Sequence, residues 1–386
     1  MVSDVTWGTS QAEVDRTVAE MKRAGVHSAR MNASWPWLEP ARQGGLDERG
    51  LAVLDYAVAR VHAAGIGVLM PIGDGVPYWA SADPSRRSGP GGESWSRHWR
   101  PRDPGDYASF VSRLVRRYAP RGVHAYEVWN EPNLERFWPS GPNPGEYLTL
   151  LRPAARAIRV ADPRATVVLG GLAGNDHRYL AQLYEAGARP HFDVAAVHPY
   201  TGAVDPALCW RQPAGGKRAR DAFCAIEEVR ATMVRNGDSR KRIWLTEFGW
   251  STYDGPFGVS EARQAELLDK ALVKIDSYAY VERAFYYGLR NIHWLGDDRS
   301  NVEANFGLLR TDFSAKPALA TYRAHASRSR SSQLSCRGER RPARARDRRE
   351  SRRRSPRASR CRRPARRSPA VRPQAPQQRV QRPRAR

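Results

Sequence analysis

Two periodicities alternate along the chain. In "SQAEVDRTVAEMKRAG", residues 10–25, the apolar residues Val14, Val18 and Met21 recur at helical spacing. Ser10 and Glu13 fit a capping box at its start, and Gly25 fits a stop. "VHSARMN" (26–32) then reads as a buried strand. "LDERGLAVLDYAVARVHAAG" (46–65) repeats the helix, with Leu51, Leu54, Val58 and Val61 inward and Gly65 as stop. Further strands are predicted at "IGVLMPI" (66–72), "HAYEVWN" (124–130), "ATVVLGG" (165–171), "FDVAAVH" (192–198), "RIWLTEF" (242–248) and "AFYYG" (284–288). A weaker one, Val2 to Trp7, comes first. Apolar strands separated by amphipathic helices predict an α/β fold with a parallel sheet covered by helices. Eight such units in about 320 residues fit a (β/α)8 TIM barrel better than an open doubly wound sheet. No Gly-rich phosphate fingerprint follows the first strand, which weakens the dinucleotide-binding alternative. Closure needs the first strand paired on both sides. Either Val2–Trp7 suffices, or the natural chain begins upstream of Met1.

The barrel pattern finishes at "KPALATYRAHA" (316–326), and the composition then changes. The formal charge of the chain is +24. From Ser327 onward there are 23 arginines, no lysine and three acids, a net of +20, so the preceding 326 residues carry only +4. The chain therefore reads as a barrel domain, 1–326, and an Arg/Pro/Ser-rich tail, 327–386, too poor in aliphatic residues to bury a core and expected to be disordered. Two readings of the tail compete: polyanion binding, and unselected sequence of the kind that GC-rich DNA yields in a wrong frame. Nucleic acid is not expected as a functional partner of the near-neutral barrel. No apolar run approaches 18 residues, so no membrane span is expected. The chain opens without a basic and apolar leader, and export would require one upstream of Met1. Four cysteines are too few for a disulfide framework, and no spacing resembles a zinc site. Cys209 and Cys224 either pair or remain free thiols.

Chemistry in such a barrel sits at the C-terminal ends of its strands. The polar and aromatic residues there are Arg30 and Asn32, Asn130 and Glu131, His198 and Tyr200, Glu247, Tyr287 and the loop residue Trp294. Two acids dominate, Glu131 after the fourth strand and Glu247 at the end of the seventh. Those strands face each other, so the two carboxylates can flank one glycosidic bond, one as proton donor and one as nucleophile or base. The alternative, two separate structural ion pairs, suits either glutamate alone better than both at strand ends.

The motifs "VWNEPN" (128–133) and "WLTEFGW" (244–250) resemble glycoside hydrolase clan A, the retaining (β/α)8 glycosidases. "MKRAGVHSARMNASWPWLEP", "VPYWA" and "NFGLLRTDFSAKPALATYRA" extend the resemblance over nearly all of residues 4–326. "YEVWNEPNLERFW" followed by "VVLGGLA" is most similar to family 39, with family 5 next. The absence of a histidine at the third strand end, "MPIGDGVPYWA", departs from many family 5 members. The resemblance implies that Glu131 is the acid/base, Glu247 the nucleophile and Asn130 the partner of the sugar 2-hydroxyl. Arg30 would keep Glu247 ionised, Tyr200 would donate to it, and His198 completes a sixth-strand pair. Trp294 would be the aromatic floor of the subsite for the cleaved sugar, and Trp79 would line a subsite. Trp95, Trp99, Trp138, Trp210 and Trp250 also fall in or beside loops, where stacking on sugar and plain packing are equally good readings. Pro132 is expected to hold Glu131 extended. Glu131 must carry a proton in the first step and lose it before the second; the charge of Glu247, present first and then neutralised as a glycosyl ester, supplies that difference. The expected partner is an oligo- or polysaccharide, with no metal or organic cofactor. A non-catalytic carbohydrate-binding barrel, or polyanion binding through the tail, are the other readings of the chain.

Overall fold

The computed structural model describes residues 1–2, 9–73, 75–83, 100–209, 220–295 and 298–338, with side chains to Arg328 except that of His293. The chain divides into two compact units, Met1–Ser329 and Arg330–Arg386. The first is a barrel of parallel strands. β1 (Ser28–Arg30) falls within the predicted strand 26–32 and β2 (Ala33–Ser34) just beyond its end, both lying along β3 (Gly67–Gly73). The sheet continues through β4 (Ala125–Val128), β5 (Thr166–Leu169), β7 (Val194–His198), β8 (Arg242–Phe248) and β9 (Val281–Tyr286), and the short β6 (Leu172–Ala173) also pairs with β7.

Closure depends on two residues at the N-terminus. Val2 bridges Arg30 in parallel, and its N–H donates to the Tyr286 carbonyl at 2.9 Å. The Arg30 N–H donates to the Met1 carbonyl at 2.8 Å. Val2 thus stands between the second and the last strands of the barrel, where the predicted first strand belongs; residues 3–8 of that prediction lie outside the described residues. The last strand begins at Val281, three residues before the predicted Ala284. Glu282 and Arg283 hid its start, and tertiary contacts accommodate both: Glu282 accepts from Trp244 Nε1 at 2.8 Å, and Arg283 stacks over the same indole.

The helices follow the predicted periodicity. α1 (Gln11–Ala24) carries the Ser10–Glu13 capping box and ends at Gly25, whose φ of 78° is left-handed. That glycine also lets the helix end approach Ala326, 3.1 Å from where a Cβ would stand. α2 (Trp35–Leu38) is a single turn. α3 (Glu48–Ala63) buries Leu51, Leu54, Val58 and Val61. α4 (Pro104–Tyr118), α5 (Pro144–Ala161), α6 (His177–Glu185), α7 (Ile226–Arg235) and α8 (Glu261–Ser277) complete the outer ring with α9 (Pro317–Gly338). α9 runs past the composition break at Ser327, because helix anchored by buried Ala318 and Leu319 propagates more easily than it nucleates. The remainder of the tail expected to be disordered lies outside the described residues. No described helix is long and apolar enough to cross a membrane.

Strand parity builds the site. One interior cluster joins Val2, Leu69, Ala125, Val168, Val194, Ala196, Trp244 and Phe285, drawn from strands around the whole barrel. Two residues further along the same faces stand Glu127, His198 and Thr246, all fully buried. An apolar plug therefore fills the barrel, and a polar layer caps it beneath the C-terminal rim.

Candidate active site

A cleft of about 870 Å³ opens above that layer. Arg30, Asn32, Asn130, Glu131, Tyr200, Glu247, Tyr287 and Trp294 of the predicted ring all line it. One carboxylate oxygen each of Glu131 and Glu247, and one ring nitrogen of His198, lie within 4.8 Å of one another.

Arg30 organises the floor. Its Nη1 donates to Glu247 Oε1 at 2.5 Å, its Nη2 to Asn130 Oδ1 at 2.9 Å and its Nε to Glu127 Oε2 at 2.8 Å. A buried carboxylate on β4 and a partly buried one on β8 thus share one guanidinium. The second oxygen of Glu247 accepts from the Tyr200 hydroxyl at 2.8 Å. Burial pushes the Glu247 carboxyl up, but the charges of His198 and Arg30 and the donors Tyr200 and Arg30 outweigh it and hold the group below the usual range. Burial, reinforced by Glu247, raises the Tyr200 hydroxyl well above its ordinary value, so it stays a donor.

Glu131 faces His198, whose Nδ1 lies 2.7 Å from Oε1. Its other oxygen makes no hydrogen bond among the described residues. The expectation that Pro132 keeps Glu131 extended is corrected: Glu131 has φ 42°, and Trp129 has φ 73°. Proline ordinarily pushes the residue before it out of the right-handed region toward extended backbone, so the left-handed backbone here is imposed from elsewhere. Backbone hydrogen bonds select that conformation: the Glu131 N–H donates to the Gly171 carbonyl and the Leu134 N–H to the Glu131 carbonyl, both at 3.0 Å. Such a conformation costs on the order of 1–3 kcal/mol away from glycine, and so must be imposed by the surrounding structure.

Two parts of the site were passed over in the sequence. Glu127 sits inside an apolar strand, and its inward parity with Ala125 was the available signal. The paired glycines of "VVLGGLA" also serve the site. A Cβ on Gly171 would stand 2.0 Å from His198 Nε2, and one on Gly170 would stand 2.6 Å from the Val128 carbonyl oxygen. The Gly171 N–H donates to Glu127 Oε1 at 2.9 Å.

The tryptophans divide. Trp294 lines the cleft and is 45% exposed. Trp129 and Trp250 contribute to its wall although almost fully buried. Trp138 is core, edge-on to Trp129 and Tyr147. Trp79 is not among the cleft-lining residues; it packs edge-on to Trp35 and donates to the Glu39 carbonyl at 2.9 Å. Trp95, Trp99 and Trp210 lie outside the described residues. Glu303, which no motif singled out, lines the cleft as well. Cys209 and Cys224 are joined by a disulfide in the connection between β7 and α7.

Glu131, His198 and Glu247 have the residue types and mutual distances of a metal-ligating set. Their polar atoms, the second oxygen of Glu131 excepted, are engaged with one another and with Arg30, Tyr200 and Thr246.

The sequence profile of the glycosyl hydrolases family 39 matches residues 104–327, more than half of the chain. The chain belongs to that family. A stretch of 95 residues is 34% identical to a β-xylosidase of Geobacillus stearothermophilus, covering 24% of this chain and 19% of that one. Among solved structures, a family 39 glycoside hydrolase from the gut symbiont Bacteroides cellulosilyticus WH2 superposes with a TM-score of 0.66 at 22% identity, over 84% of this chain and 62% of that one. A monomeric β-xylosidase from Caulobacter crescentus CB15 gives 0.58 at 21% identity, over 84% and 66%. This family 39 chain thus spans a small part of the curated relative and about two thirds or less of these two structures; the structural likeness carries the barrel fold.

Proposed function

We propose that this family 39 protein is a retaining β-glycosidase that hydrolyses O-glycosidic bonds of oligo- or polysaccharides, with Glu247 as nucleophile and Glu131 as acid/base. The observation that carries the reading is the asymmetry of two neighbouring carboxylates. Glu247 is held ionised by Arg30 and Tyr200, as an attacking group must be. Glu131 contacts a group that can exchange a proton with it, and its other oxygen has no hydrogen-bond partner among the described residues. The approach of one oxygen of each to within 4.8 Å fits the short carboxylate separation, roughly 5 Å, of retaining enzymes better than the wider one of inverting enzymes. Asn130 offers its amide N–H groups to a sugar hydroxyl, since Arg30 engages only its Oδ1. The β-xylosidase relative makes aryl β-xylosides the first substrates to try in a panel of aryl β-glycosides and polysaccharides. NMR of the earliest product tests the mechanism. A β-configured sugar appears first from a β-glycoside if two inversions occur. An initial α-anomer overturns the role of Glu247.

A further inference from the structure

Beneath the two catalytic candidates, a chain of hydrogen bonds determines where one proton can reside. Glu127 is completely buried, and its carboxylate is paired with Arg30. Its Oε1 lies 3.0 Å from Thr246 Oγ1. An ionised carboxylate only accepts, so the single Thr246 proton must point at Glu127; the reverse would set two lone pairs against each other. Thr246 Oγ1 also lies 2.9 Å from His198 Nε2. Having spent its proton on Glu127, Thr246 can only accept there, so Nε2 must carry hydrogen. What remains is the 2.7 Å contact between His198 Nδ1 and Glu131 Oε1. Two charge states satisfy it: neutral His198 accepting from a protonated Glu131, or an imidazolium donating to a Glu131 carboxylate. Both hold one proton between Nδ1 and Oε1.

We infer that Glu131 and His198 share one proton, and that Thr246, oriented by Glu127, is the positioning residue that enforces this by keeping His198 Nε2 protonated. The inference rests on the reading of Glu131 as the acid/base. The groups facing the imidazole are Glu131 and Glu127 from β4 and its following loop, Glu247 and Thr246 from β8, and Arg30 from β1. Burial disfavours the imidazolium, and Arg30 opposes it too. Glu247 and Glu131 outweigh them and raise the His198 pKa above its ordinary value, so the proton has a second place to rest close to the acid. Gly171 makes room for this arrangement, because any side chain there would occupy the place of Nε2.

In the first step the shared proton leaves through Glu131 to the glycosidic oxygen. The bond from that oxygen to the anomeric carbon breaks as Glu247 bonds to the carbon, and the alcohol departs. The pair is left as a Glu131 carboxylate and a neutral His198 with Nε2–H. In the second step Glu131 takes a proton from the attacking water, the water oxygen bonds to the anomeric carbon as the ester bond to Glu247 breaks, and the pair again holds one proton.

The test is 15N NMR of the full chain labelled at histidine, which reports the protonation of each ring nitrogen. His198 is assigned as the ring whose signals move in both Glu131→Gln and Thr246→Val. The expected result at neutral pH is a protonated Nε2 in the unmodified protein, and its loss of preference in Thr246→Val with recovery in Thr246→Ser. A neutral ring protonated only at Nδ1 overturns the inference, whatever Glu131 does in catalysis. Kinetics give the second arm. Thr246→Val should lower kcat/KM by about tenfold on alkyl glycosides, whose leaving group needs the proton, and by much less on nitrophenyl glycosides. An equal loss on both classes marks a purely structural role for Thr246 and also overturns the inference. If instead Glu131→Gln shows no dependence on leaving group while Nε2 stays protonated, the acid/base reading fails and the tautomer assignment survives.

Discussion

At the scale of single residues, the two carboxylates differ by what surrounds them. If Glu247 is the nucleophile as proposed, Glu247→Ala should nearly abolish turnover, since no glycosyl ester can form. Glu131→Ala should lose roughly 10²–10⁴-fold on substrates with poor leaving groups and far less on activated aryl glycosides. Azide separates the roles: it should yield a β-glycosyl azide with the Glu131 variant and an α-azide with the Glu247 variant, and the opposite pattern would exchange the assignments. Tyr200→Phe removes one of the donors that hold the Glu247 carboxyl down against burial. A depressed carboxyl stays ionised as pH falls, so weakening its support moves the acid limb of kcat/KM to higher pH. The lost hydrogen bond to a charged group is worth about 1.5–3 kcal/mol. An acid limb that stays in place would mean that Tyr200 does not govern the ionisation of Glu247.

At the scale of elements, the strand ends were legible and the turns leaving them were not. Periodicity marked β4 and β8 because both alternate with helices and carry apolar runs. The left-handed backbone at Trp129 and Glu131 left no such trace, because neighbouring loops impose it. Gly171→Ala tests one of those constraints. Its Cβ must displace His198, so stability should fall by about 1–3 kcal/mol in denaturant titration, with a loss of kcat/KM. Unchanged stability and rate would show that the imidazole can shift without consequence. The Cys209–Cys224 link closes a separation of 15 residues and should contribute roughly 3 kcal/mol in the chain-entropy picture. Thiol titration of the unreduced, denatured protein should find at most two free thiols among the four cysteines. Four would contradict the link.

At the scale of the whole molecule, the buried side chains of α9 among the described residues are Ala318, Leu319 and His325, all before the charge block. A chain ending at Ser329, the last residue of the barrel unit, should therefore keep its melting temperature and its kcat/KM. A drop of several degrees would show that the arginine-rich segment contributes to the barrel's stability. Full-length protein should bind DNA with steep salt dependence, as 23 clustered arginines do on any scaffold. That binding should vanish in the shortened chain, whereas glycosidase activity should not.

The sequence by itself determined the barrel, the position of Glu131 and Glu247 on its rim, and the company of Arg30, Asn130, His198 and Tyr200. These depend on period, parity and residue type, which are local and written along the chain. Tertiary structure alone decided that Trp79 packs on Trp35 and donates to the Glu39 carbonyl, that Glu131 is left-handed, and that Gly171 clears space for an imidazole. It also decided that Glu127, an acid inside an apolar strand, connects Arg30 to Thr246 and thereby to His198. Each of these depends on atoms far apart in sequence meeting within hydrogen-bond or van der Waals distance. A pattern along one strand holds no record of what stands on the strand across the barrel.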